Sequence, residues 1–415
     1  VKLFVVLAST CALAVGAFSQ SKPAVDFSRL VVVGDSLSAG VQNFSLLDTQ
    51  QPNGYAALIA GQAGTAMTLP LVPYPGAPNV LTLVRKSVPP IILPAPGTLP
   101  NPPRDNPTVQ ATNVSIPGLT VADAFLAPSQ ISPLQGPVAA WAEIVLGYPG
   151  PAASQVDEAL ALNPSAIIMW LGNNDALVPA ITGQLDGLTP LPVFTAAYTK
   201  LIATLAATNA SLITANIPDV TEIPFFTPVP RIAKETGLPL STVTSVLGVS
   251  SSDYLRTTAV PIALGLLAGT PPPPPYVWPT SCPLPSPGLL PPGVPLPCVF
   301  TSANAVQVRS VIASYNNVIT QQAAAAGVPL VDIHSLITEI VQNGYKTGDE
   351  CLTAYFLGGL FSLDGIHPTN TGYAVIANAF IDQMNEVWGA GLDEVNVHQI
   401  AENDPLVLSR VRCRH

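Results

Sequence analysis

Charge is what this chain has least of. Only 10% of its residues are Asp, Glu, Lys or Arg, and 15 basic residues face 25 acidic ones, for a net charge of −10. No basic stretch exists, which argues against a nucleic-acid partner, since phosphate contacts need clustered Lys and Arg. Histidine is scarce. His334, His367, His398 and His415 are the four present, so imidazole chemistry has few places to reside. Cysteine numbers five, with no Cys-x-x-Cys pair to suggest a metal site. Long apolar runs are missing as well. The longest, Leu3 to Phe18, is shorter than the ~20 residues a membrane span needs, so no transmembrane span is expected. What the chain does have is apolar residues, at 48%, and 46 prolines.

Residues 1–19 read as a secretory signal peptide: Lys2, a short apolar core, then Ala17-Phe18-Ser19 as a cleavage site. The expected location is secreted or periplasmic. Cys11 would leave with the signal. The remaining Cys282, Cys298, Cys351 and Cys413 are even in number, as disulfides require. Cys282 and Cys298 bracket a proline-rich loop and are expected to pair, which leaves Cys351 for Cys413. Residues 20–415 are expected to form a single domain with insertions at about 65–106 and 224–300.

Five short apolar segments read as buried strands: Arg29–Val33, Val109–Val114, Ala166–Leu171, Ser211–Ala215 and Val328–Ile333. Helical patterns separate them, at 53–63, 154–162, 194–209 and 303–326, and a last one follows at 371–388. Alternation of this kind implies parallel pairing and right-handed crossovers. The fold class expected is α/β, a three-layer α/β/α sandwich on a mainly parallel five-stranded sheet.

The first strand ends in Gly34-Asp35-Ser36-Leu37. A serine at the carboxyl tip of such a strand lies on the edge where open α/β sheets bind ligands, and it is a candidate nucleophile. The alternative is a helix N-cap. Other strand ends bring Gly118 and Asn174 to the same edge. With the Ser36 amide they would supply three donors to an oxyanion, Asn174 without adding charge. A turn glycine and a capping residue are the alternatives. His367 lies in Asp364-Gly365-Ile366-His367-Pro368. An Asp three residues before a His, across a glycine, can fold back onto Nδ1 and leave Nε2 as a base. His334, two residues after Asp332, is the rival base; that spacing closes no turn. His398 and His415 sit in a C-terminal tail.

Four blocks, Val33 to Gly40, Asn113 to Gly118, Gly172 to Asp175 and Asp364 to Pro368, together resemble the GDSL, or SGNH, hydrolase family, and they occur in its order. The resemblance implies a flavodoxin-like sheet and no metal or organic cofactor. It implies Ser36 as nucleophile, His367 as base and Asp364 as its orienting acid. Ser36, Gly118 and Asn174 would form the oxyanion hole. Pro117 stands where many members carry serine, without touching the Gly118 N–H. The implied reaction is hydrolysis of a carboxylic ester, from a lipid or a short acyl chain. A sugar O-deacetylase of the same fold and a non-catalytic exported binding module are the alternatives. Residues 259–268 carry no charge and are expected to wall the acyl site, unless they only extend the core.

Overall fold

The computed structural model describes residues 25–87, 89–132, 137–283, 295–408 and 411–412. The expected signal peptide, Cys413 and His415 lie outside them. At the centre is a parallel sheet in the order Leu30–Gly34, Ala166–Trp170, Ser211–Ala215, Leu330–Val331. The first two strands are buried along their whole length. That is why they read as unbroken apolar runs: helices cover both faces of the sheet. Neighbouring residues show the two faces. Trp170 packs against Tyr55 and Phe380, with ring centroids 5.6 and 6.0 Å away. Met169 meets Thr214, whose hydroxyl bonds Tyr198 at 3.0 Å. Successive strand side chains point to opposite faces, so the two contacts define the two outer layers. One layer pairs the helices Tyr55–Gln62 and Asn370–Trp388. The other pairs Leu191–Ala206 with Ser302–Ala326.

Among the described residues the sheet has four strands, not five. The expected strand Val109–Val114 survives as a single parallel bridge between Asn113 and Val32. Val32 N–H donates to Thr112, and Val114 and Ile116 donate to Val32 and Gly34. The chain therefore runs along the free edge of the first strand and turns away at Pro117-Gly118. Counting this edge, the spatial order is the flavodoxin-like 2-1-3-4-5, with its crevice at the carboxyl end of the first strand.

The two segments expected as insertions have structure of their own. The first holds a hairpin, Leu81–Arg85 with Ile91–Pro94. The second builds a three-stranded antiparallel sheet and the helices Val229–Thr236, Leu240–Leu247 and Val260–Leu267. Its apolar run forms a small local core: Ala263 packs with Val229, Ile232 and Val243, and Ile262 packs beside Cys282 and Cys298. Those two cysteines are bonded, with Cα atoms 5.2 Å apart. Cys351 is also disulfide-bonded. Among the described residues no helix is long and apolar enough to cross a membrane.

Candidate active site

The first strand delivers Ser36 into the helix Ser36–Ala39, but Ser36 is not its cap. Asp35 is: its carboxylate accepts from the Leu37 N–H at 3.1 Å. The serine is left as the first helical residue, lining a cavity of about 520 Å³. Gly118, Asn174 and His367 line the same cavity. Four chain segments far apart in sequence thus converge on one sheet edge.

Each is held by its surroundings. Gly118 has φ +76°, a conformation L side chains rarely adopt, and its space is closed by Val138 and Trp141. Asn174 opens the helix Asn174–Thr182 and gives one amide hydrogen to the Leu119 carbonyl at 3.1 Å. That bond sets the orientation of an NH₂ that has a second hydrogen to offer. His367 Nδ1 donates to Asp364 Oδ2 at 2.9 Å. Asp364 is fully buried. It accepts from the Ile366 and His367 amides through Oδ1 and from the Phe44 amide through Oδ2. Burial alone would raise its pKa. His367 beside it and the two amides outweigh burial and hold it below the ordinary value. An ionised Asp364 fixes the proton on Nδ1, leaving Nε2 to accept one.

His334 is not part of this arrangement. It does not line the cavity, and its Nδ1 bonds the Ile217 carbonyl at 3.0 Å. His398 faces Glu402 at 3.7 Å, away from the site. The expected acyl wall at 259–268 is also displaced. No described residue of 224–300 lines the Ser36 cavity, and Val260, Pro261 and Leu264 line a separate cavity of about 910 Å³. The apolar run was needed for the insertion's own core.

Several supporting residues were given no role by the sequence, although Asp35, Asn113, Asn173 and Asp175 lie inside its motif blocks. Gln155 donates to both the Gly34 and Val114 carbonyls, at 2.7 and 2.8 Å, and so joins the serine strand to the edge segment. Asn113 donates to the Ser38 carbonyl at 2.7 Å. Asn173 donates to Asp35 at 2.8 Å, and burial pushes the Asp35 carboxyl up to about 6. Asp175 accepts from the Val121 amide at 3.0 Å and is pushed up to about 7 by burial. These partners are separated by tens of residues, and no spacing rule connects them.

The remainder of the cavity is mainly apolar. Val41, Phe44, Trp141, Leu177 and Ile181 line it, with Gln184 and Asp186 among the few polar groups. The GDSL-like lipase/acylhydrolase family model matches residues 30–380, which takes in all four blocks. The chain belongs to this family. Membership makes it a carboxylic ester hydrolase in the general sense. No curated protein matches the chain. Solved structures similar to this GDSL-like chain include a lipase/acylhydrolase from Enterococcus faecalis, at 14% identity, 88% of this chain, 98% of that one and TM-score 0.35. Axe2, an acetylxylan esterase from Geobacillus stearothermophilus, is similar at 14% identity, 86% and 94% coverage and TM-score 0.36. The esterase EstA from Pseudoalteromonas sp. is similar at 13% identity, 86% and 96% coverage and TM-score 0.34. At this level of similarity these neighbours carry no argument about substrate.

Proposed function

We propose that this protein is an exported esterase that cleaves esters of apolar acyl chains through an acyl-enzyme on Ser36. The observation that carries the reading is the cavity itself. It joins Ser36, Gly118, Asn174 and His367 to an apolar space of about 520 Å³, within the range of ligand pockets. Ser36 Oγ attacks the ester carbonyl while His367 Nε2 takes its proton. The tetrahedral oxyanion is bound by the Ser36 and Gly118 amides and the free hydrogen of Asn174. Asp364 stabilises the imidazolium, which then protonates the leaving alcohol. Water, activated by the same imidazole, releases the acid. Export is proposed from the leading segment at 1–19.

Trp141 in the cavity wall favours a second reading, deacetylation of sugars, because an indole face is a platform for a pyranose ring. A series of p-nitrophenyl esters from acetate to decanoate, run beside acetylated sugars, separates the two. The expected result is kcat/KM rising with chain length over the apolar series, and no turnover by Ser36→Ala with an almost unchanged thermal transition. Preference for the acetylated sugar over every longer acyl ester would reject the reading, and a Ser36→Ala variant retaining most activity would reject the mechanism.

A further inference from the structure

No described residue of 224–300 lines the Ser36 cavity, yet one of that segment's side chains reaches the wall. Arg256 is fully buried, and its hydrogen-bond partners are backbone carbonyls. Nε donates to Ile181 at 3.1 Å and Nη2 to Ala180 at 3.2 Å. Nη1 donates to Pro297 at 2.7 Å and Val299 at 2.9 Å. The rings of Phe226 and Phe300 lie 5.9 and 5.5 Å from the guanidinium carbon.

We propose that Arg256 is a positioning residue that fixes the far wall of the Ser36 cavity and thereby sets its preference for long acyl chains. The proposal rests on the esterase reading above. Ala180 and Ile181 lie in the last turn of the helix Asn174–Thr182, where carbonyls have no partner within the helix and the dipole is negative. A guanidinium suits that end in both respects, and its fork reaches several acceptors at once. Burial pushes its pKa down to about 10, so it stays charged at neutral pH. Ile181, Thr182 and Gln184 are the cavity-lining residues that this clamp holds. Gly183 ends the helix at φ +76°, and a Cβ there would sit 3.0 Å from Arg256 Nη2.

The near end of the same helix is held independently. Asn174 is tied to Leu119 and Asp175 to the Val121 amide. Loosening the clamp therefore moves the part of the wall that a long chain touches, and leaves the part that an acetyl group touches. A merely structural arginine would act on both substrates alike.

Two variants address the clamp from opposite sides, Arg256→Lys and Gly183→Ala. Lysine keeps the charge without the fork. The first readout, amide hydrogen exchange, requires no substrate. Exchange over 180–185 should speed up about tenfold or more in both variants, with 174–176 unchanged. The second readout is the ratio of kcat/KM for p-nitrophenyl decanoate to that for the acetate. It should fall about tenfold, since small misplacements of a wall cost factors of this size or greater. Unchanged exchange in both variants would overturn the clamp. Accelerated exchange with the ratio held within twofold would overturn the specificity role. A wild-type protein that hydrolyses neither ester fails the esterase reading, and the specificity role falls with it, while the exchange experiment still decides the clamp.

Discussion

Gly118→Ala is the sharpest single test of the oxyanion arrangement. The residue keeps its N–H, so any loss comes from geometry. Gly118 sits at φ +76°, and an L residue there costs about 1–2 kcal/mol. The new methyl would lie 2.8 Å from Val138 Cγ2 and 3.4 Å from Trp141 Cζ3. The first distance is too short, and Val138, buried and stiff at χ1, gives little way, whereas the second is ordinary van der Waals contact. The backbone must therefore rotate, carrying the amide hydrogen off its target. Loss of one donor in such a site costs roughly 10²–10³ in kcat. Because the interaction belongs to the transition state, kcat should fall about 10²-fold with KM little changed. Val138→Ala in the same chain removes the close contact and should restore about tenfold, leaving the φ penalty and part of the loss. The assay is steady-state hydrolysis of a p-nitrophenyl ester by wild type, both single variants and the double variant, with thermal unfolding alongside. A folded Gly118→Ala protein within threefold of wild-type kcat would remove Gly118 from the oxyanion site. A double variant no better than the single one would refute the steric account.

Three further outcomes follow from the site. Asp364→Asn should lower kcat by on the order of 10⁴, because an amide no longer enforces the Nδ1–H tautomer of His367; near-normal turnover in a folded variant would show that the base is oriented by something else. Burial raises the Asp175 pKa to about 7, so the folded state holds that proton more tightly than the unfolded chain, and ionisation costs stability increasingly as pH rises from about 4 through 7. The Tm difference, Asp175→Asn minus wild type, should accordingly become more positive between pH 5 and pH 8, and a flat difference across that range contradicts this sign. Gln155→Leu leaves the Gly34 and Val114 carbonyls without their shared donor and should cost on the order of 1–3 kcal/mol in urea unfolding, a loss below about 0.5 kcal/mol being inconsistent with the clamp.

The parallel architecture was legible because a strand buried on both faces must be apolar throughout, as Leu30–Gly34 and Ala166–Trp170 are. The residues that converge on the cavity were legible for a related reason. Ser36, Gly118 and Asn174 follow strand or strand-like ends, which a parallel sheet places on one edge, and Asp364 folds onto His367 through a local turn. Local order and topology are written in short windows of the chain. The edge segment at 109–114 falls short of a strand: Val109 to Ala111 have strand composition, but only Asn113 lies in register with Val32. The partner of the insertion's apolar run is hidden for the same kind of reason. Hydrophobicity states that Ile262 and Ala263 must be buried, and says nothing about what buries them. The bonding partners of Arg256, Gln155, Asn113 and Asp175 were invisible in the sequence. Each of these side chains bonds a backbone group that is remote in the chain, and a carbonyl looks the same in every residue. Which polar side chain meets which distant carbonyl is decided only when the sheet, its helices and the insertion have packed.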